Sequence, residues 1–252
     1  PRIFASTAWL IMGTFGLSIV KKLGNGNVVK GYSSFAVVIA VTFIISAIIT
    51  CLNVKERVET PKNAEKVSFK QTLNIIRKND QLLVFIGIVL GMNLIMQISG
   101  SMAIYYFTYV VGKESLFSVY QAFAGIAEIS GLVLLPILTK KIGREDVFKF
   151  GSILPIAGFL LLFVAGIVAP QNALFIGMAG AILKLGSGFL LGSTTIMLAD
   201  VVDYGEFKLG TRNESIVFSV QTLLVKGASA VAGWLVGVGL SLVGYVAGEV
   251  QS

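Results

Sequence analysis

Seven long runs of apolar residues alternate with polar segments along the chain. A helix needs about 20 apolar residues to cross the roughly 30 Å apolar core of a bilayer, and each run reaches or approaches that length. None shows the two-residue alternation that is typical of membrane barrels. The pattern therefore predicts an all-α integral membrane protein with seven transmembrane helices, over residues 3–20, 33–52, 82–111, 116–139, 147–168, 173–202 and 215–246.

The third run is longer than a bilayer requires and has a polar middle. That middle contains Asn93, Gln97, Ser99, Gly100 and Ser101. Non-helical backbone at membrane depth is tolerated where it lines a water-filled cavity. We therefore predict that this helix is broken near its centre.

Glycines four residues apart recur in three other places where helices are predicted to cross the bilayer. Small residues at this spacing let two helices approach closely, and packing alone is a sufficient explanation for each pair. The pairs are Gly87 and Gly91, Gly188 and Gly192, and Gly233 and Gly237.

The segment 54–81 is the one long polar connection in the sequence, and it divides the chain into two parts. Phe69, Leu73 and Ile76 recur in it at helical spacing, which predicts a short amphipathic helix along the membrane surface. Two helices precede this linker and five follow it. The chain begins at a proline beside an apolar run and stops soon after another, so we expect both ends to be truncated.

Composition supports the membrane assignment. Only 13% of the residues are charged and the mean hydropathy is +0.86, whereas soluble domains carry about 25% charged residues. The net charge of +7 lies mainly in the loops, which argues against nucleic acid as a partner. Fourteen of the twenty lysines and arginines lie on one side of the predicted topology. The positive-inside rule places that side, which includes the 54–81 linker, in the cytoplasm.

Three ionisable side chains interrupt the apolar runs about halfway along them: Glu128, Lys184 and Lys226. Charges at that depth are costly, so they mark a functional site or an internal ion pair. Glu128 could pair with Lys184 or Lys226, or it could take up a proton. Lys184 could instead extend its stem toward an interface. We predict that the helices with these charges line a hydrated interior, and that helices 33–52 and 147–168 face lipid.

A cluster of charged residues follows the sixth run on the predicted cytoplasmic side. It is open to two interpretations, a solvated loop or a gate whose ion pairs join two bundles and break as the protein moves. The residues of this candidate cytoplasmic gate are Asp200, Asp203, Glu206 and Arg212, with Lys208 and Glu214 beside them.

The same cluster carries a family resemblance. The motif DVVDYGE at 200–206, followed by QTLLVKG at 221–227, resembles the glycoside–pentoside–hexuronide:cation symporter family, which has the major facilitator fold. PRIFAS at 1–6, IYYFTYVVG at 104–112 and LTKKIGRED at 138–146 fit the same family. The resemblance implies helices five to eleven of twelve.

By this resemblance, residues 1–53 correspond to the last two helices of an N-terminal six-helix bundle. Residues 54–81 are a cytoplasmic linker, and residues 82–252 form a C-terminal bundle that lacks its last helix. The family implies symport of a sugar with sodium, lithium or a proton by alternating access. Its cation site belongs to helices that precede this chain, so no metal or cofactor site is assigned here.

The resemblance also implies a set of substrate-binding residues, namely Arg2, Asn93, Gln97, Thr222 and Lys226. From composition alone Arg2 is equally well a basic flank of the first helix. Two positions depart from the family pattern. Leu191 stands where a relative has a tryptophan that stacks on sugar, and Glu128 replaces a neutral amide. These departures leave the sugar open among glycosides, pentosides and hexuronides.

Two other classes of function compete with sugar symport. A membrane-embedded enzyme would need a nucleophile with a base or a metal site, and the chain contains no histidine. A sensor or structural relative that does not transport would bind no sugar. We expect a secondary transporter in the bacterial plasma membrane, in contact with lipid, monomeric when intact and not an enzyme.

Overall fold

The structure, a computed structural model, describes residues 2–54 and 68–245, apart from the Arg2 side chain. The described residues form helices and no strands, which confirms the predicted fold class. The helices are α1 (Arg2–Gly24), α2 (Val28–Asn53), α3 (Phe69–Lys78), α4 (Asp80–Tyr105), α5 (Ser115–Ile142), α6 (Arg144–Val168), α7 (Ala173–Leu209) and α8 (Glu214–Leu242). All except the short α3 are long and apolar enough to cross a membrane.

The predicted break in the middle of the third membrane helix is wrong. Helix α4 is continuous from Asp80 to Tyr105, and the α-helical pattern changes only at a π-helical turn, Tyr106–Val110. Two of the polar side chains in the middle bond to their own helix. Asn93 donates to the carbonyl oxygen of Val89 and Ser99 to that of Ile95, so these side chains need no break in the backbone to find partners.

Helix α7 lies at the centre of the second group of helices and packs against α5 and α6. Its contact faces are rich in glycine because the backbones cross closely. A Cβ at Gly188 would overlap the carbonyl oxygen of Glu128 on α5, and one at Gly186 would lie 2.5 Å from the ring of Pro155 on α6. Helix α6 therefore buries one face against α7, and the prediction that segment 147–168 simply faces lipid is too broad.

Helices α4 and α8 pack against each other and against the last turns of α7. Their shared apolar core includes Leu82, Phe85, Val201 and Val217, all of them buried. Asn79 fixes the start of α4, since its side-chain oxygen accepts from the amide of Leu82 and its Nδ2 donates to the carbonyl oxygen of Val201 at 3.2 Å. This buried amide links the start of α4 to α7.

Helix α1 crosses to the second group of helices and packs along α5. The contact is close at two glycines, because a Cβ at Gly125 would lie 2.6 Å from Leu10 and one at Gly13 would lie 2.6 Å from Gln121. Helix α2 packs on α1, and of its residues only Gly31 is buried. Segment 33–52 is mostly exposed in the structure, and its contact with lipid stays a prediction.

Of the 54–81 linker, the structure describes residue 54 and residues 68–81. The predicted amphipathic helix is present as α3, whose Ile76 packs against the core formed by α4, α7 and α8. Ion pairs at this end join the start of α4 to α7 through Asp80 and Lys208, and the start of α6 to α7 through Arg144 and Asp200. The loops predicted to be cytoplasmic thus meet at one end of the bundle.

Candidate functional site

Side chains from α1, α4, α5, α7 and α8, with Phe159 of α6, line a cavity of about 570 Å³ within the membrane-spanning region. This volume is within the roughly 300–1,000 Å³ range of small-molecule sites. The polar side chains around it are mainly amides and hydroxyls. They are Ser6, Asn93, Gln97, Ser99, Ser101, Tyr120, Gln121, Ser187, Thr194 and Gln221.

Glu128 and Lys184 meet at the edge of this cavity. Lys184 Nζ lies 3.1 Å from Glu128 Oε2, and the side chains of Lys184 and Glu128 are 30% and 17% exposed. The hydroxyl of Ser6, on α1, donates to the other carboxylate oxygen at 2.9 Å. Three helices therefore join at one carboxylate. Glu128 is thus adjacent to Lys184, the first of the two partners predicted for it.

The two amides predicted to bind substrate, Asn93 and Gln97, both line the cavity from one face of α4. Gln97 donates to the hydroxyl of Ser229, which connects α4 to α8. Asn93 uses one amide hydrogen on its own helix, so its side-chain oxygen is left to accept from a ligand. The family resemblance had implied that both residues bind substrate.

Several cavity residues were missed by sequence reasoning. Trp9, on the first helix, is exposed beside the cavity, and Gln121, Gln221 and Thr194 add polar groups around it. Single polar residues in apolar helices gave no periodic signal that could have separated them from residues that face a neighbour. Leu191 lines the cavity as well, where a relative carries its tryptophan.

Lys226 and Thr222 do not line this cavity. Both are exposed on α8, and Thr222 donates to the carbonyl oxygen of Phe218 on its own helix. Within the described part of the chain Lys226 makes no ion pair. On α8 the cavity is instead lined by the neighbouring residues Gln221 and Val225. Arg2 begins α1, and its side chain lies outside the described residues.

The charged cluster at 200–214 is partly helical, which corrects the predicted loop at 203–214. Helix α7 continues to Leu209, so Asp203 and Glu206 lie on its last turns. Arg212 folds back onto both carboxylates, at 3.0 Å from Asp203 and 2.6 Å from Glu206. These hydrogen bonds, of which the one to Glu206 contributes most, raise the pKa of the Arg212 guanidinium.

The residues of the candidate gate have partners within the second group of helices. Asp200 pairs with Arg144 at 3.2 Å, and Asp80 accepts hydrogen bonds from Tyr204 and Lys208. Sequence reasoning had not assigned Arg144 or Asp80 to this network. Among the described residues, no group of three or more acidic or cysteine side chains is arranged to hold a metal ion.

Comparison with known proteins finds one family model and several named relatives that match most or all of the chain. The family model described as MFS/sugar transport protein matches residues 2–252. The isoprimeverose transporter of Lactiplantibacillus pentosus is 31% identical over all of this chain and 54% of its own length. The raffinose carrier protein of Pediococcus pentosaceus is 30% identical, and the lactose permease of Lactobacillus helveticus 31%. Each match covers 82% of this chain and 32% of the relative.

The chain therefore spans about half the length of the first of these relatives and about a third of the other two. All three are named as transporters, carriers or permeases. The seven membrane-crossing helices and the bacterial relatives make this a multi-pass protein of the plasma membrane. The resemblance inferred from DVVDYGE and QTLLVKG is confirmed: the chain belongs to the MFS/sugar transport protein family.

Proposed function

We propose that these residues form part of a secondary transporter that carries a sugar across the plasma membrane with a coupling cation. The observation that carries this proposal is the cavity at membrane depth, lined by amides and hydroxyls. A sugar presents many hydroxyls, each both donor and acceptor, and amides match such groups in both directions. The names of the relatives support the same substrate class.

The apolar part of the cavity fits this substrate as well. Trp9, Phe159 and Leu191 provide apolar surface beside the polar side chains, and small-molecule sites combine such surface with a few polar groups that fix orientation. We expect the sugar to leave chemically unchanged, since the relatives are named as transporters, carriers and permeases.

Transport by alternating access requires the cavity to open to each side of the membrane in turn. The contact of α1 with α5 belongs to this motion, because it joins a helix that precedes the cytoplasmic linker to one that follows it. In this proposal Arg2, Thr222 and Lys226 contribute to sugar binding or coupling. Asp200, Asp203, Glu206 and Arg212 act at the cytoplasmic gate. The coupling cation is sodium, lithium or a proton, and the transporter works as a monomer.

Uptake into proteoliposomes tests the proposal. The protein, expressed from its complete reading frame, is assayed with radiolabelled isoprimeverose, raffinose and lactose, each with a sodium, lithium or proton gradient. We expect one of these uncharged sugars to accumulate only with one of the gradients. Absence of binding and uptake for all three, and also for a hexuronide, would favour a sensor or structural relative.

A pair of asparagine variants links uptake to the cavity. Asn93→Leu removes a cavity amide and should lower sugar affinity about 10-fold or more, since a hydroxyl then loses its partner. Asn53→Leu is the matched control, because Asn53 makes the same bond to the carbonyl four residues earlier but lies at the exposed end of α2. Equal sugar affinities in the two variants would show that Asn93 does not bind the sugar.

A further inference from the structure

Glu128 and Lys184 are the two charged residues among the described side chains that line the cavity. Their contact at 3.1 Å leaves both partly exposed to the cavity rather than sealed between helices. A pair that only held α5 to α7 would be better buried between them. The position and exposure of the pair suggest that it also faces the transported molecule.

The hydrogen-bonding capacity of the pair is only partly used. The Lys184 ammonium has three donors and gives one to Glu128, while the Glu128 carboxylate accepts from Lys184 and Ser6. Among the described residues, these are the hydrogen bonds of the two side chains. Two neighbouring sugar hydroxyls can use the remaining capacity, one donating to the carboxylate and the other accepting from the ammonium.

The charges of the pair cancel, and this determines which sugars fit. A sugar carboxylate placed here meets the Glu128 carboxylate, and two like charges at contact distance repel each other. The Lys184 ammonium cannot compensate because Glu128 already neutralises it. We infer that the Glu128–Lys184 pair is a specificity determinant that binds hydroxyls of an uncharged sugar and rejects hexuronides.

This inference rests on the proposed function, because it assigns a substrate class to the proposed sugar site. It also gives a role to the hydroxyl of Ser6. Ser6 is buried on α1 and holds one oxygen of Glu128, so it fixes the direction in which the carboxylate faces Lys184 and the cavity. Ser6 is thus a positioning residue.

The test measures relative affinities for an uncharged and an acidic probe. Purified full-length protein is titrated with methyl β-glucoside and methyl β-glucuronide, and the ratio of the two dissociation constants is compared between wild type and Glu128→Gln. Wild type should bind the glucoside more tightly. In Glu128→Gln the unpaired Lys184 should attract the glucuronide, and the ratio should move toward the acidic sugar by about 10- to 100-fold.

Two further variants separate charge from folding. Glu128→Gln with Lys184→Gln removes both charges, so it should weaken binding of the glucoside without any gain for the glucuronide. Glu145→Gln is the matched control, since it removes a carboxylate from an exposed ion pair with Lys149 at the end of α6 and should leave the ratio unchanged. Thermal unfolding of each variant reports whether the fold is retained.

The outcomes are distinguishable. A wild type that prefers the glucuronide, or a ratio that does not change in Glu128→Gln, overturns the inference and leaves sugar transport standing. A wild type that neither binds nor transports any sugar overturns the proposed function and the inference with it. If Glu128→Gln does not fold, the double variant decides, because retained wild-type affinity for the glucoside there would contradict the role of the pair.

Discussion

Lys184 and Lys226 are both lysines near the middle of a membrane-spanning helix, but the two have different surroundings. Lys184 lies 3.1 Å from a carboxylate, and Lys226 is exposed on α8 without an ion-pair partner among the described residues. An unpaired lysine at this depth costs about 2.5–3.5 kcal/mol on insertion scales. A lysine that carries such a cost, without an ion-pair partner in the part of the chain that the structure describes, is a candidate for sugar binding or coupling.

At the residue scale we therefore expect two alanine variants to differ in stability. In Lys226→Ala no described carboxylate loses an ion-pair partner, so the protein level and thermal stability should stay at the wild-type value. Sugar binding or coupling should be lost. Lys184→Ala leaves Glu128 without its cation and should lower the free energy of unfolding by about 1–3 kcal/mol. Equilibrium sugar binding and thermal unfolding are measured on both. Normal affinity and coupled uptake in Lys226→Ala would contradict the assignment.

At the element scale, close packing depends on which glycines face a neighbouring helix. Glycine spacing alone could not distinguish the three predicted pairs. Gly188 and Gly192 lie against α5, whereas Gly87, Gly91, Gly233 and Gly237 have no heavy atom within 4 Å of an added Cβ among the described residues. The difference arises because α7 is enclosed by α5 and α6, while those faces of α4 and α8 are open.

This contrast gives a stability prediction. Gly188→Ala forces a methyl group against the carbonyl oxygen of Glu128, and overpacking of this kind costs about 1–3 kcal/mol. Gly87→Ala meets open space and gains helix propensity of about 0.5–1 kcal/mol. Thermal unfolding in one detergent should therefore show a lower midpoint for Gly188→Ala and an unchanged or higher one for Gly87→Ala. Equal midpoints would contradict the close crossing of α5 and α7.

At the scale of the whole molecule, the charge distribution predicts which end of the helix bundle is cytoplasmic. The basic loops predicted to be cytoplasmic meet at one end, where the ion pairs of Arg144 with Asp200 and of Lys208 with Asp80 join three helices. The opposite end contains Lys113, in the short connection after the π-helical turn.

Cysteine labelling tests this orientation. In a background with Cys51→Ser, which removes the single exposed native thiol, we place one cysteine at Lys70 or at Lys113. Both positions are exposed and lie at opposite ends of the bundle. An impermeant maleimide should label Lys113→Cys in intact cells and Lys70→Cys only after permeabilisation. Labelling of Lys70→Cys in intact cells would contradict the predicted orientation.

The sequence by itself determined the helical membrane fold, the number of crossing helices and the family. These follow from long apolar runs and local motifs such as DVVDYGE, because a bilayer offers the backbone few alternatives to a helix. It also selected Glu128 and Lys184, because a charge in an apolar helix is costly, and the family resemblance selected Asn93 and Gln97.

Only the tertiary structure decided which of these residues meet. Whether Lys184 or Lys226 reaches Glu128 depends on the rotation of α7 and α8 about their axes, and that rotation is set by helix packing rather than by local sequence. The same holds for Ser6, whose contact with Glu128 spans 122 positions of the chain. The tertiary structure also showed that the middle of α4 is α-helical. Asn93 and Ser99 bond to their own helix, and Gln97 bonds to α8.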